Sequence, residues 1–120
     1  MSNQFHEPFE LLSEKTKDIT RAINSLREEL EAVDWYNQRA DISTDGELRS
    51  ILEHNRNEEM EHAVMLMEWL RRNMDGWNEE METYFFTKSP ITSLEEKSEE
   101  PNEFKDVFSF GASLNIGNMK

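Results

Sequence analysis

Between Phe9 and Asp41 no proline or glycine interrupts the chain, and apolar side chains return every three or four residues, the period of one face of an α-helix. Pro8 suits a first helical turn and predicts that the helix opens there. Leu12, Ile19, Ile23, Leu26, Leu30 and Val33 form one stripe, with Ala22, Leu26, Val33, Tyr36 and Ala40 a second beside it. A face that wide meets more than one neighbour. The stretch 41–47 breaks the pattern, and Thr44 with Glu47 three residues on has capping-box spacing for a second helix, from about Asp45 to Asn73. So short a connection predicts antiparallel helices. Residues 74–78 punctuate again before a third, shorter helix over 79–86, and Pro90 closes the ordered part.

From Ser93 the sequence turns charged and has too few apolar residues to pack a core. Phe104, Val107, Phe108 and Phe110 then lead into Ser113-Leu-Asn-Ile-Gly-Asn-Met-Lys120. The organisation expected is a helical domain over 1–92, a flexible acidic, Phe-containing linker over 93–112, and an apolar-ended octet over 113–120. The fold class is all-α: a two-helix hairpin with a short C-terminal helix, two copies of which would complete a four-helix bundle.

With 120 residues and apolar content confined largely to the first three quarters, the core is small and self-association is expected. The 26 Asp and Glu against 13 Lys and Arg give a net charge of -13. Such a surface repels nucleic acid and anionic lipid and attracts cations. No cysteine is present, so any metal would be held by carboxylate or imidazole. The N-terminal residues lack a signal-peptide pattern, and no apolar run is long enough to span a bilayer, so a soluble, cytoplasmic protein is expected.

The second helix has a seam of Leu48, Leu52, Asn55, Glu59, His62, Leu66 and Trp69, polar at its centre. Burying Glu59 and His62 costs several kcal/mol, on the order of the desolvation of each group, unless they find partners. Glu59-Met-Glu-His62 is a Glu-x-x-His unit whose two side chains project one turn apart from one face. Glu29 stands in the second stripe of the first helix, where an apolar residue is expected. Carboxylate-bridged di-iron sites in four-helix bundles take a Glu from each of two helices and a Glu-x-x-His from each of the other two. The chain carries half of that set, so a two-fold pair would gather Glu29, Glu59 and His62 twice around two ions. Oxygen ligands with one imidazole suit Fe(II) or Mn(II).

Tyr36, one heptad after Glu29, fits either a packed core position or a hydrogen-bond donor near the centre. Glu28, Glu31, Asp34, Glu58 and Glu61 read either as a solvated face or as an acidic path for hydrated ions. Trp35, Trp69 and Trp77 read as packing residues, His6 and His54 as surface residues, and Met60, Met65, Met67, Met74 and Met81 as filler at helix contacts.

At these residues the chain resembles the encapsulated ferritins, two-helix members of the ferritin-like superfamily carried inside encapsulin shells. The most specific stretches are Glu28-Glu-Leu-Glu-Ala-Val-Asp-Trp-Tyr36 with Gln38-Arg39, His54-Asn-Arg-Asn-Glu-Glu-Met-Glu-His-Ala63, Glu68-Trp-Leu-Arg-Arg72, and Thr83-Tyr-Phe-Phe-Thr87 with Pro90-Ile91. The resemblance implies a ferroxidase centre at Glu29, Glu59 and His62 with Tyr36 close by and two Fe ions per dimer interface. It also implies an outer metal site at Glu28 and Glu31 beside Trp35, and a decameric ring of five dimers. It further implies that Ser113–Lys120 docks on an encapsulin shell, which stores the mineral. Asn118 and Met119 depart from the usual residues of that docking peptide. The oxidant, dioxygen or peroxide, stays open. The competing reading is a non-catalytic acidic scaffold that binds divalent cations loosely; a haemerythrin-like oxygen carrier would need more than the 3 His present.

Overall fold

The computed structural model describes residues 4–98, which are all-helical, with no strand among the described residues. Four α-helices follow a short 3-10 turn at Phe9–Leu11: α1 (Glu14–Ile42), α2 (Gly46–Asn73), α3 (Trp77–Tyr84) and α4 (Ile91–Ser98). Two compact units form, the first ending at Asn78 and the second beginning at Glu79.

The first helix begins later than the periodicity predicts. Pro8 opens a 3-10 turn, Leu12 leaves it in extended conformation, and Ser13 caps α1 by accepting a hydrogen bond from the Thr16 amide at 3.1 Å. The cap satisfies one of the amides that a helix start leaves unpaired. The turn is fastened to α1 by Lys17, whose ammonium lies 4.1 Å from the centre of the Phe9 ring and 3.2 Å from Glu14. Phe5 meets Phe9 edge-on at 5.1 Å. A lysine on the buried side of α1 is thus accommodated by an aromatic face and a carboxylate.

Ser43, Thr44 and Asp45 connect α1 to α2, which pack antiparallel as expected. The cap of α2 is Asp45, which accepts from the Leu48 amide at 2.9 Å, and not the Thr44 of the expected capping box. Both residue types suit a cap, and Asp45 is the one that takes it, with extended backbone at φ -79°, ψ 120°. Across the seam Lys15 reaches Asn73 at 2.8 Å and Arg56 reaches Asn37 at 2.9 Å. The enclosed apolar side chains are Ala22, Ala40, Ala63 and Leu70, the last only 1% exposed. Three alanines let the helices approach closely but bury little area. Leu30, Leu48, Ile51, Met60, Val64 and Met65 stay exposed, so the wide apolar face read from the sequence is only partly used within one chain, and Met60 and Met65 are not filler inside it.

At the end of α2, Glu68 takes a two-pronged contact from Arg71, at 2.8 and 2.7 Å, and a third from Arg72 at 2.6 Å. The two guanidinium groups hold its carboxyl down at about 2. Arg71 also donates to Asn78 at 2.8 Å. Gly76, at φ 105°, takes the left-handed conformation that starts α3. Against the predicted 79–86, α3 starts and ends two residues earlier, and Phe86 sits at φ 60°. Pro90 accepts from the Ser93 and Leu94 amides and opens α4, which covers the first residues read as linker; the stretch 99–120 lies outside the described residues.

Asp45→Ala is expected to cost about 1 kcal/mol of stability, as loss of a helix N-cap does. Thermal unfolding followed by circular dichroism tests this, and Thr44→Ala should shift the midpoint far less. Equal shifts would show that both residues cap the helix.

Candidate metal centre

Two helices build the centre from opposite sides. Glu59 and His62 lie one turn apart on α2, and Glu29 faces them from α1, because antiparallel packing sets the middle of one helix beside the middle of the other. The His62 Nδ1 lies 2.8 Å from Glu59 Oε1 and 3.4 Å from Glu29 Oε2. One ligand atom from each of Glu29, Glu59 and His62 falls within 4.8 Å of the others. Their side chains are 26%, 25% and 43% exposed.

Glu29 Oε2 is inaccessible to water and makes no hydrogen bond, only a 3.4 Å ion-pair contact with His62 Nδ1. A carboxylate oxygen in that state is costly. The Glu59 carboxylate beside it pushes the Glu29 pKa up, burial adds to this, and His62 opposes both. The pKa of His62 is raised, chiefly by its hydrogen bond to Glu59 and then by the charge of Glu29. A proton on Nδ1 therefore stands where two carboxylates converge. A cation that took this place would use the same Nδ1 as a lone-pair donor, relieve the repulsion between the two Glu, and displace the proton.

A second group shares the histidine: Glu58, Glu61 and His62 also offer ligand atoms within 4.8 Å of one another. Both Glu are exposed. Periodicity marked Glu58 and Glu61 only as flanking charges; their spacing of four and one residues from His62 was the signal that places the three together.

The remaining candidates do not join the cluster. Tyr36 has the Arg39 guanidinium over its ring at 5.5 Å. Glu28 and Glu31 are exposed, and neither belongs to a cation-sized group among the described residues. Trp35, half exposed, lines a shallow depression of about 300 Å³ with Gln38 and Arg39. His54 is exposed, as its place outside the seam indicates.

Residues 4–88 match the EncFtn-like family. The chain belongs to that family. It is 61% identical over 94 residues to the encapsulated ferritin-like protein of Rhodospirillum rubrum, covering 78% of this chain and 67% of that one. It is also 58% identical over 98 residues to a ferritin-like protein of Thermotoga maritima, covering 82% of this chain and 86% of that one. Among solved structures, protein ne0167 from Nitrosomonas europaea superposes with a TM-score of 0.70 at 55% identity, over 72% of this chain and 96% of its own. The EncFtn-like match spans the hairpin and α3 and ends before α4.

In the metal-free protein the His62 ring should titrate above its ordinary value, and Glu59→Gln should bring it down; ring-proton NMR across pH reads both. The stabilisation that comes from charging His62 is fully present below about 6.5 and is lost as pH rises through the raised native value. Glu29 has the same sign, since its raised pKa means that ionisation is resisted in the fold. The metal-free protein should lose stability as pH rises through these values. An unmoved His62 titration in Glu59→Gln would contradict the arrangement.

Proposed function

We propose that the protein is a ferroxidase, converting Fe(II) to Fe(III) at a centre shared by two copies of the chain. The observation that carries this is the enclosed, unpartnered Glu29 oxygen aimed at Glu59 and His62. The donor set suits a ferrous substrate: two carboxylates are hard ligands, one imidazole is intermediate, and no thiolate competes.

One chain offers three ligand residues, too few to close the coordination sphere of an octahedral ion. A two-fold axis beside the seam brings six residues around two ions, with carboxylates available to bridge. The exposed Leu30, Met60, Val64 and Met65 supply an apolar surface on the central turns of the hairpin for that pairing. Two ferrous ions held together each give up one electron. The pair reduces dioxygen to hydrogen peroxide with uptake of two protons; with peroxide as oxidant the same electrons cleave the O–O bond and yield water. His62 releases its proton when iron arrives, and Glu29 and Glu59 lose their mutual repulsion.

Tyr36 serves as a hydrogen-bond donor beside the centre once the second copy is in place. Glu28 and Glu31, with Trp35, form an outer site that delivers ions. Five such dimers make a decameric ring, the ring works inside an encapsulin compartment in the cytoplasm, and Ser113–Lys120 docks it on the shell. Support for enclosure comes from the Rhodospirillum rubrum relative, which is named an encapsulated ferritin-like protein, and from the Ser-Leu-x-Ile-Gly pattern at Ser113–Gly117.

His62→Ala should slow aerobic Fe(II) oxidation more than about tenfold, since even outer-shell partners of metal ligands are worth about 10- to 100-fold. Absorbance of the ferric product, with anaerobic iron stoichiometry, measures it. Equal rates in the two proteins would leave an acidic scaffold that binds cations loosely.

A further inference from the structure

The α1–α2 seam is shallow, and the centre is sensitive to how the two helices stand along each other. Ala22, Ala40 and Ala63 are enclosed there, and the one large side chain buried with them, Leu70, lies near the far end of α2. A methyl group interlocks with a facing helix far less than a Leu or Ile knob does. One residue of slip moves a helix about 1.5 Å, whereas a binding constellation must be held to within about 0.5 Å. His62 Nδ1 already stands 3.4 Å from Glu29 Oε2. A fraction of a residue therefore decides whether the three side chains can share an ion.

Two polar contacts cross from α1 to α2, one on each side of the centre. At the open end Lys15 Nζ donates to Asn73 Oδ1 at 2.8 Å. Lys15 precedes Glu29 by fourteen residues and Asn73 follows Glu59 by fourteen, so this contact and the ligands share one register. Toward the connection, Arg56 Nη1 donates to Asn37 Oδ1 at 2.9 Å, and Arg56 Nε donates to Asn57 Oδ1 at 3.2 Å. Arg56 stands one turn before Glu59, and the same register sets it at the level of Ala32. Its guanidinium thus reaches obliquely toward the connection to meet Asn37, and such a bond resists withdrawal of α2 in the opposite direction.

We propose that Arg56 and Asn37 are positioning residues of the metal centre: their hydrogen bond sets how far α2 stands along α1, and so how closely Glu59 and His62 approach Glu29. This rests on the binding half of the function proposed above, that these three residues hold a divalent cation, and not on the oxidation of iron. Among the described residues neither Arg56 nor Asn37 bonds to Glu29, Glu59 or His62, so their effect passes through the position of the helix. One hydrogen bond decides little about whether the hairpin forms, yet it shifts the populations of closely spaced helix positions severalfold.

The test is anaerobic titration of the full-length protein with Co(II), read by the visible absorption that His62→Ala abolishes. Asn37→Leu is expected to weaken this binding about fivefold, the factor that one hydrogen bond supports, and to have no further effect in the Arg56→Met background, where the bond is already gone. Circular dichroism checks that each variant is folded at the working temperature, and Asn37→Ala takes the place of the leucine variant if that one is not. A merely structural loss leaves the Co(II) affinity of folded protein unmoved. Wild-type affinity in Asn37→Leu, or an equal loss in both backgrounds, overturns the proposal. A wild type without histidine-dependent Co(II) absorption overturns it too, and removes the centre as well. If the affinities follow the cycle but the wild type leaves Fe(II) unoxidised, the ferroxidase reading alone falls.

Discussion

The approach of two carboxylates across the α1–α2 seam is the constraint on which the rest of the structure depends. Glu29 and Glu59 meet at the middle of the hairpin with only His62 between them, and Glu29 has one oxygen sealed from water without a hydrogen bond. Like charges at such range repel strongly in a partly dry setting. A Leu at either position would remove the repulsion; under the proposed function the two acids hold a proton in the metal-free protein and a cation when iron is bound.

The thinness of the seam follows from the same demand. Ala22, Ala40 and Ala63 bring the helices close enough for ligands on one to meet ligands on the other, at the expense of buried area. What one chain cannot bury it leaves displayed, and that surface sits on the same turns as the unfinished centre. On the proposed shared centre, assembly and metal binding are linked, since ions held between copies would stabilise the pair and pairing would complete the ligand set.

The hairpin was legible because its helices are long and unbroken, and the meeting of Glu29, Glu59 and His62 because they occupy positions where periodicity demands apolar groups. Family-level resemblance rested on those same stretches. Local chemistry was less legible. Ser13, three residues ahead of Thr16, caps a helix that periodicity would start earlier, because the apolar repeat runs straight through a 3-10 turn. Asp45 caps α2 where the spacing pointed to Thr44, because adjacent residues of cap-forming type leave the start ambiguous by one position. Lys17 lies on a buried face only because Phe9 folds back over it. The grouping of Glu58 and Glu61 with His62 depends on side-chain reach, which spacing suggests but does not fix.

The most direct measurement of the shared centre is anomalous diffraction at the iron edge from crystals grown with Fe(II) under anaerobic conditions. The account predicts two adjacent iron peaks between two copies of the chain, each within bonding distance of Glu29, Glu59 or His62 side chains from both copies. Iron confined to one hairpin, or found only at exposed carboxylates while Glu59 keeps its 2.8 Å contact with His62, would contradict it.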